Sequence, residues 1–532
     1  MTNSEIADNL KLTANLLELL DDNPFKIKSL LNASFKVDKL EADLDTLSHQ
    51  EIEKVEGIGK SIAAKINELI QTGTTAELQE LFTKVPIGVI QMMDVKGIGP
   101  KKVAMLWKNL GIESPGELLY ACNENRLVEL KGFGEKTQTA IKKNIEFSLS
   151  NQGKYLYAEI EEEAENILSQ LQKKYPQEQF SYIGAFRRKN EIIEGLEILT
   201  TKTDLDVNEV EFNVPIVLEI KVSTPQGFGS DLFKLSSSVE FLNAFEAKHG
   251  AVENNVSEEE IFANNKLSYI MPSLREHATA LNMAEKGNIN AIVELKDISG
   301  IFHVHTKFSD GASTIKDMAA AVQAKGMHYI GITDHSRSAF YANGLTAERV
   351  LQQHKEIDEL NKSFAPFKIF KGIESDILND GSLDYEEDIL KQFDFVIASV
   401  HSVLKMDIEK ATNRLIKAIE NPYTTMLGHM TGRLLLSREG YPLHTQKIIE
   451  ACAANNVIIE LNANPYRLDI DWRLIIACLE KGVQISINPD AHSIAGLNDV
   501  KYGIYAAQKG LLTKEMCFNA KALSEVEAAF NK

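Results

Sequence analysis

Residues 301–311 read IFHVHTKFSDG, a run of strand length that carries His303 and His305 at its end, with Asp310 five residues further on. The same plan recurs six times downstream: YIGITDH (329–335), KIFKGIESD (368–376), FDFVIASVH (393–401), TTMLGHM (424–430), VIIELNAN (457–464) and VQISINPDAH (483–492). Between these runs lie amphipathic stretches long enough for a helix, such as TIKDMAAAVQAKG (314–326). Repeated strand–helix units predict parallel strands joined by right-handed crossovers, and seven of them predict a closed barrel. In such barrels the site forms at the C-terminal ends of the strands, where these polar residues fall.

The residues gathered there are His303, His305, Asp310, His335, Glu374, His401, His429, Asp490 and His492, including six of the chain's twelve histidines. Bringing imidazoles and carboxylates together is costly unless something uses their lone pairs, and a multi-cation cluster uses all of them. Mixed nitrogen and oxygen ligation favours zinc, manganese or iron over magnesium.

Outward toward the N-terminus the texture changes. The stretch GAFRRKNEIIEGLEILTTKTD (184–204) leads from an arginine pair into a strand-like segment. A nucleotidyl-transferring enzyme would place paired aspartates on such a strand, and this one carries Gly195 and Glu197. Further forward, three segments resemble one another: VEGIGKSIAAKI from Val55, VKGIGPKKVAML from Val95 and LKGFGEKTQTAI from Leu130. Each joins a G-x-G turn to a helical apolar period, and an internal repeat says more than one copy. The glycines Gly57 and Gly59, Gly97 and Gly99, Gly132 and Gly134 permit a tight turn and leave backbone N–H groups uncovered, where an anion is favoured. With Lys60, Lys101, Lys102 and Lys136 just beyond the turns, they predict a clamp on a phosphate backbone.

The 532 residues are too many for one core. A formal charge of −19 counts against a broad electrostatic grip on nucleic acid, so DNA contacts must be local. The absence of an apolar run of ~18 residues argues against a membrane span. Four scattered cysteines without a CxxC pair suit a reducing cytoplasm and argue against a thiolate zinc site.

The three front segments look like helix-hairpin-helix motifs, which bind DNA without reading sequence. Residues 155–285 resemble the palm and thumb of family X DNA polymerases. That pattern has Gly-Ser, an arginine pair with a following glycine, then Gly-Asp-x-Asp; here Ala185, Lys189, Gly195 and Glu197 depart from it. VLEIKVSTPQGFG (217–229) puts Glu219 where the third aspartate is expected, and LSSSVEF and KLSYIMPSLRE continue the likeness. Two-metal phosphoryl transfer needs carboxylates that bridge cations ~4 Å apart, and glycine offers none. The resemblance thus implies a retained fold with nucleotide addition lost, unless Asp204 or Asp206 supplies the missing oxygens. GIGKSIAAKINELIQTG resembles the lyase helix of the same family, with Lys65 at its Schiff-base position.

HVHTKFSDG, TDHS, GIESDI, ASVHS, GHMTGR and PDAHS resemble the motifs of the polymerase and histidinol phosphatase (PHP) domain, with Met430 replacing a usual proline. That likeness implies three divalent metal ions: one held by His303, His305, Glu374 and Asp490, a second by Glu374, His401 and His429, a third by Asp310, His335 and His492. Arg337 and Arg433, just past these motifs, would hold a phosphate oxygen. As a whole the chain resembles a bacterial family X polymerase with a C-terminal PHP domain. The expected architecture is multi-domain: an all-α helix-hairpin-helix 8-kDa-like domain (1–82), a fingers-like hairpin region (83–150), an α+β nucleotidyltransferase-like palm and thumb (151–290), and an α/β (β/α)7 PHP barrel (291–532). The expected function is a cytoplasmic, metal-dependent phosphodiesterase of DNA repair, either a 3′–5′ exonuclease or an enzyme that processes AP sites and 3′ ends. Its expected partner is gapped, nicked or 3′-ended duplex DNA, bound independently of sequence and away from membranes; the sequence leaves protein partners open. Alternatives are a small-molecule phosphatase, a DNA-end binder without catalysis, and a working polymerase.

Overall fold

The computed structural model describes the chain except residues 41, 56, 125, 129, 131, 207–209, 211–215 and 532. It divides into two units, Met1–Gln152 and Gly153–Lys532.

In the first unit the described residues form helices and turns and no strand. Gly57, Gly97 and Gly132 take φ of 87°, 94° and 92°, a left-handed backbone that a side chain disfavours. The residue between each glycine pair, Ile58, Ile98 or Phe133, is buried in the helical core and fixes the turn to it. Gly59, Gly99 and Gly134 then cap the helices Lys60–Thr72, Pro100–Leu110 and Glu135–Ser150 with no side chain on the first amides. Three helix N-termini are therefore left with N–H groups open to an external acceptor.

The second unit begins with a palm-like layer. Phe180–Tyr182 pairs antiparallel with Leu196–Thr200, which pairs parallel with Leu218–Val222. The helix Tyr157–Lys174 lays Ile160, Ala164 and Ile167 on this sheet. A cluster of Phe233, Phe241, Phe245 and Phe262 follows, with the fully buried Arg275 stacked over Phe233 and Phe262.

Seven parallel strands come next, in sequence order around the sheet: Gly300–Val304, Tyr329–Ile332, Lys368–Asp376, Phe395–Ser399, Met426–Leu427, Ile458–Asn462 and Ile485–Asn488. A parallel bridge between Val304 and Ala491 brings the last strand back to the first, so the sheet nearly closes on itself. One end is filled by Phe302, Tyr329, Phe370 and Phe395, with Phe530 stacked on Phe395 at 5.0 Å between centroids. Among the described residues no helix is long and apolar enough to cross a membrane, and all four cysteines are buried and unbridged.

Palm and barrel are joined through buried polar contacts inside the second unit. Lys509, fully buried, donates to Glu276 at 2.9 Å and to Asn190 at 2.5 Å. Glu191 accepts from the Trp472 indole at 3.1 Å and from Arg473 at 2.9 Å. Glu258 sits between Arg187, which binds it through both guanidinium nitrogens, and Arg275. Burial alone would raise the Glu258 carboxyl; the hydrogen bonds from Arg187 and the charge of Arg275 outweigh it and hold the group at about 2.

A carboxyl depressed in the folded state contributes stability above its unfolded value, near 4.5, and loses it as pH falls toward 2. Glu258→Gln leaves buried arginine charge uncompensated, which costs ~3–5 kcal/mol at neutral pH. Thermal melts followed by circular dichroism should show the variant unfolding earlier at neutral pH. The gap from wild type should narrow steadily below about pH 4.5.

Candidate metal centre

The first barrel strand carries a bulge where a regular strand would not suffice. Its register with the second strand shifts between Ile301 and Val304, and His303 has φ of 59°. Phe302 points into the aromatic plug and Val304 into the core shared with the helices. The extra residue changes the phase of the strand, so that His303 and His305 both face the barrel mouth. Asp490, after the last strand, also takes a left-handed backbone, φ 52°. Two positions at one site thus hold conformations that side chains rarely adopt.

All nine residues expected at the strand ends meet there. Glu374 is the hub: His335 Nδ1 lies 2.9 Å from Oε2, and His429 Nε2, His401 Nε2 and His303 Nε2 lie 3.0, 3.1 and 3.2 Å from Oε1. Asp490 Oδ1 is 3.1 Å from His305 Nε2 and 3.4 Å from His303 Nε2. Asp310 Oδ1 is 3.4 Å from His492 and 3.8 Å from His335. Among the described residues, four sets offer ligand atoms within 4.8 Å of one another: His305, Asp310, His335 and His492; His303, His305 and Asp490; His303, Glu374 and His429; His335, Glu374 and His401. The expected grouping put His401 and His429 on one ion with Glu374; here they fall into separate sets that share that carboxylate.

Buried polar atoms normally find partners. Here His303 Nε2, both ring nitrogens of His305, His335 Nδ1 and Glu374 Oε2 are buried without a hydrogen bond. That pattern fits divalent cations, which would take up the lone pairs. The titration tendencies differ from ring to ring. Burial, then the charges of His492 and His335, pushes His305 down to about 3, leaving it a neutral donor. Burial would raise Asp310, but His492 holds it at about 2. His401 goes the other way: burial opposes, yet Glu374 and Asp376 push it up to about 10.

Behind the ligands stand groups that the sequence reading passed over. Glu460 takes His303 Nδ1 at 2.5 Å and accepts from the His429 N–H and the Asn488 amide. Asp376 takes His401 Nδ1 at 2.5 Å. Asp334 accepts from Thr306 and Ser309 and so shapes the turn that presents Asp310. Glu460 and Asp376 set the tautomer and orientation of the His303 and His401 rings in front of them. Each of the three carboxylates lies in a quoted run (VIIELNAN, GIESDI, TDHS); for Asp334 and Asp376 the available signal was a carboxylate one or two residues from a ligand, and for Glu460 only its place near a strand end.

The arginines behave unequally. Arg337 is half-exposed, with Nε 3.4 Å from Asp384. Arg433 is engaged by Asp471 and by the carbonyls of Arg467 and Leu468, so its guanidinium serves the scaffold. Arg467, unremarked in the sequence, stands 3.4 Å from Asp490 Oδ2.

In the palm, Glu197 and Glu219 are register partners on adjacent strands. A cavity of about 650 Å³ opens there, lined by Gly195, Glu197 and Glu219 together with Glu191, Glu194, Lys154 and Arg473. Its two lining cations are already engaged, Lys154 with Glu194 and Arg473 with Glu191, and Lys221 nearby is paired with Glu197. Arg188 of the arginine pair is bound to Glu276. Asp204 and Asp206 lie past the C-terminal end of the Leu196–Thr200 strand.

At the front, Lys60 and Lys136 are exposed beside their helix N-termini. Lys101 lies 3.7 Å from Glu18, and Lys102 reaches back to the Gly97 carbonyl. Lys65 is ion-paired with Glu77, which also takes Lys26.

Comparison with known proteins is consistent along the whole chain. Residues 302–464 match the PHP domain family, 1–75 a helix-hairpin-helix domain and 89–145 a SAM-like helix-hairpin-helix tandem. The chain is 34% identical to the DNA polymerase/3′-5′ exonuclease PolX of Bacillus subtilis, over 99% of both proteins. It is also 29% identical to a protein named probable phosphatase from a Thermoanaerobacter species, over 41% of this chain and 88% of that one. A similarly named protein of Caldanaerobacter subterraneus is 31% identical over 36% of this chain and 74% of its own length.

If Glu460 orients His303 and His429, Glu460→Ala should weaken divalent-ion binding by roughly 10- to 100-fold. Isothermal titration with Zn²⁺ or Mn²⁺ into chelator-treated protein measures it. Cation-dependent elevation of the melting midpoint should shrink in parallel.

Proposed function

The chain belongs to the bacterial family X DNA polymerases with a C-terminal PHP domain, and on that premise we propose that it is a DNA-processing phosphodiesterase working at the barrel mouth. The observation that carries this reading is the set of buried, unpartnered imidazole and carboxylate atoms around Glu374. His303, His305, Asp310, His335, Glu374, His401, His429, Asp490 and His492 would hold the ions. Zinc or manganese, and then iron, suits this mixed donor set better than magnesium, which prefers oxygen ligands. Such cations supply a water that is nucleophilic near neutral pH and neutralise charge on phosphate oxygens.

The chain's own residues do the rest. Arg467 beside Asp490, with the half-exposed Arg337, is placed to meet a non-bridging phosphate oxygen, a role that Arg433 is not free to take. The three uncapped helix N-termini, with Lys60 and Lys136, hold a gapped, nicked or 3′-ended duplex by its backbone without reading bases. The substrate is the DNA 3′ end, trimmed in the 3′–5′ direction.

Nucleotide addition is lost in this reading. Gly195 offers no ligand, and Lys221 neutralises Glu197. A triphosphate entering the palm cavity would meet Glu191, Glu194, Glu197 and Glu219, while the neighbouring cations are bound to those or other carboxylates. Like charge facing like charge disfavours its entry. Lys65, ion-paired with Glu77, is given no catalytic part.

With Mn²⁺ and a 5′-labelled primer–template, the protein should shorten the primer whether or not dNTPs are present. His303→Ala should lower that rate by at least ~100-fold. Extension with dNTPs would overturn the loss of polymerase function. Hydrolysis of phosphomonoesters with oligonucleotides left intact would shift the reading to a phosphatase.

A further inference from the structure

The segment after His335 is a braced arm. Ser336 donates its N–H to the Glu374 carbonyl at 3.0 Å, and its hydroxyl accepts from the Asp376 N–H at 2.9 Å. Ser338 donates its hydroxyl to Asp376 and its N–H to the buried Asp384, both at 2.6 Å. The Leu345 N–H returns to the His335 carbonyl at 2.8 Å and closes the loop. Gly344 packs so tightly that a Cβ there would lie 1.9 Å from the Ser336 carbonyl oxygen. Arg349 donates to the carbonyls of Phe308, Asn343 and Gly344.

The polar contacts of the arm thus turn inward, but its tip does the reverse. Phe340 is 88% exposed and Tyr341 71%, an adjacent aromatic pair offered to solvent from a rigid support. The Tyr341 ring centroid is 6.2 Å from that of His335. A large exposed ring held at the edge of a site, with a second exposed ring next to it in the chain, offers a surface for a ligand.

We propose that Phe340 and Tyr341 form a stacking platform for the nucleobase of the nucleotide whose phosphate lies at the metal cluster, a reading that rests on the function proposed above. A base hangs one sugar away from its phosphate, and Tyr341 is the ring next to the cluster. Every base has a π-face, so the platform accepts all four, in keeping with hairpins that bind without reading sequence. Arg337, half-exposed at the root of the arm, adds positive charge where the anionic strand passes. A phosphoester without a ring gains nothing here. The platform is therefore what makes this site prefer nucleotide esters to simple ones.

The test uses the full chain and two readouts. Replacing both rings (Phe340→Ala with Tyr341→Ala) should raise KM for a single-stranded oligonucleotide by roughly five- to a hundredfold. The substitution should cost little when the same oligonucleotide ends in an abasic residue, and Tyr341→Trp alone should keep KM near wild type. Independently of hydrolysis, a 3′-terminal 2-aminopurine should lose fluorescence on binding the wild type and keep it with the double variant. A probe base placed internally should respond alike to both. Equal quenching of the terminal probe by the two proteins would overturn the platform, as would equal losses on the normal and abasic ends. A wild type that quenches the probe but hydrolyses no oligonucleotide would sink the nuclease reading and leave the platform standing.

Discussion

Four imidazoles approach the buried carboxylate of Glu374 within 3.2 Å. Several ring nitrogens and one oxygen of that carboxylate nevertheless stay without a hydrogen bond in the interior. The rest of the second unit's barrel accommodates this. The sheet must nearly close so that seven strand ends converge, the first strand must bulge at His303, and Asp490 must take a left-handed backbone. Glu460 and Asp376 must stand behind the rings to fix which nitrogen faces the mouth. Such costs are borne where a site requires them.

The palm is the converse case. It too collects carboxylates on neighbouring strands and opens a cavity, but Glu191, Glu194 and Glu197 there are ion-paired within the protein, as are Arg187 and Arg188 beside them. Arg187 and Arg188 meet Glu258 and Glu276, and Glu276 also takes the buried Lys509 from the barrel. Charges with partners make scaffold, and charges without them call for a ligand. On this criterion the barrel mouth is the cluster that calls for a ligand, while Glu276, Lys509 and Arg188 brace palm against barrel.

Several features were legible without coordinates. The G-x-G repeats, the seven strand-like runs and the nine polar residues at their ends are local patterns, and the structure brings the nine together at one mouth. Arg433 read as a phosphate ligand because it follows GHMTG, yet Asp471 and two backbone carbonyls hold it. Arg467 drew no notice because nothing adjacent in the chain pointed to Asp490. The division of His401 and His429 between separate ligand sets likewise depends on where the barrel places each ring.

Sequence by itself determined the strand–helix alternation of the barrel and the residue types at its strand ends, because periodicity is set by neighbours a few residues apart. Only the tertiary structure decided which charged groups are free. Arg187 meets Glu258 across 71 residues, and His303 meets Glu460 across 157. Whether a side chain is a ligand or a strut depends on what faces it in space, and contacts of that reach leave no trace in local spacing.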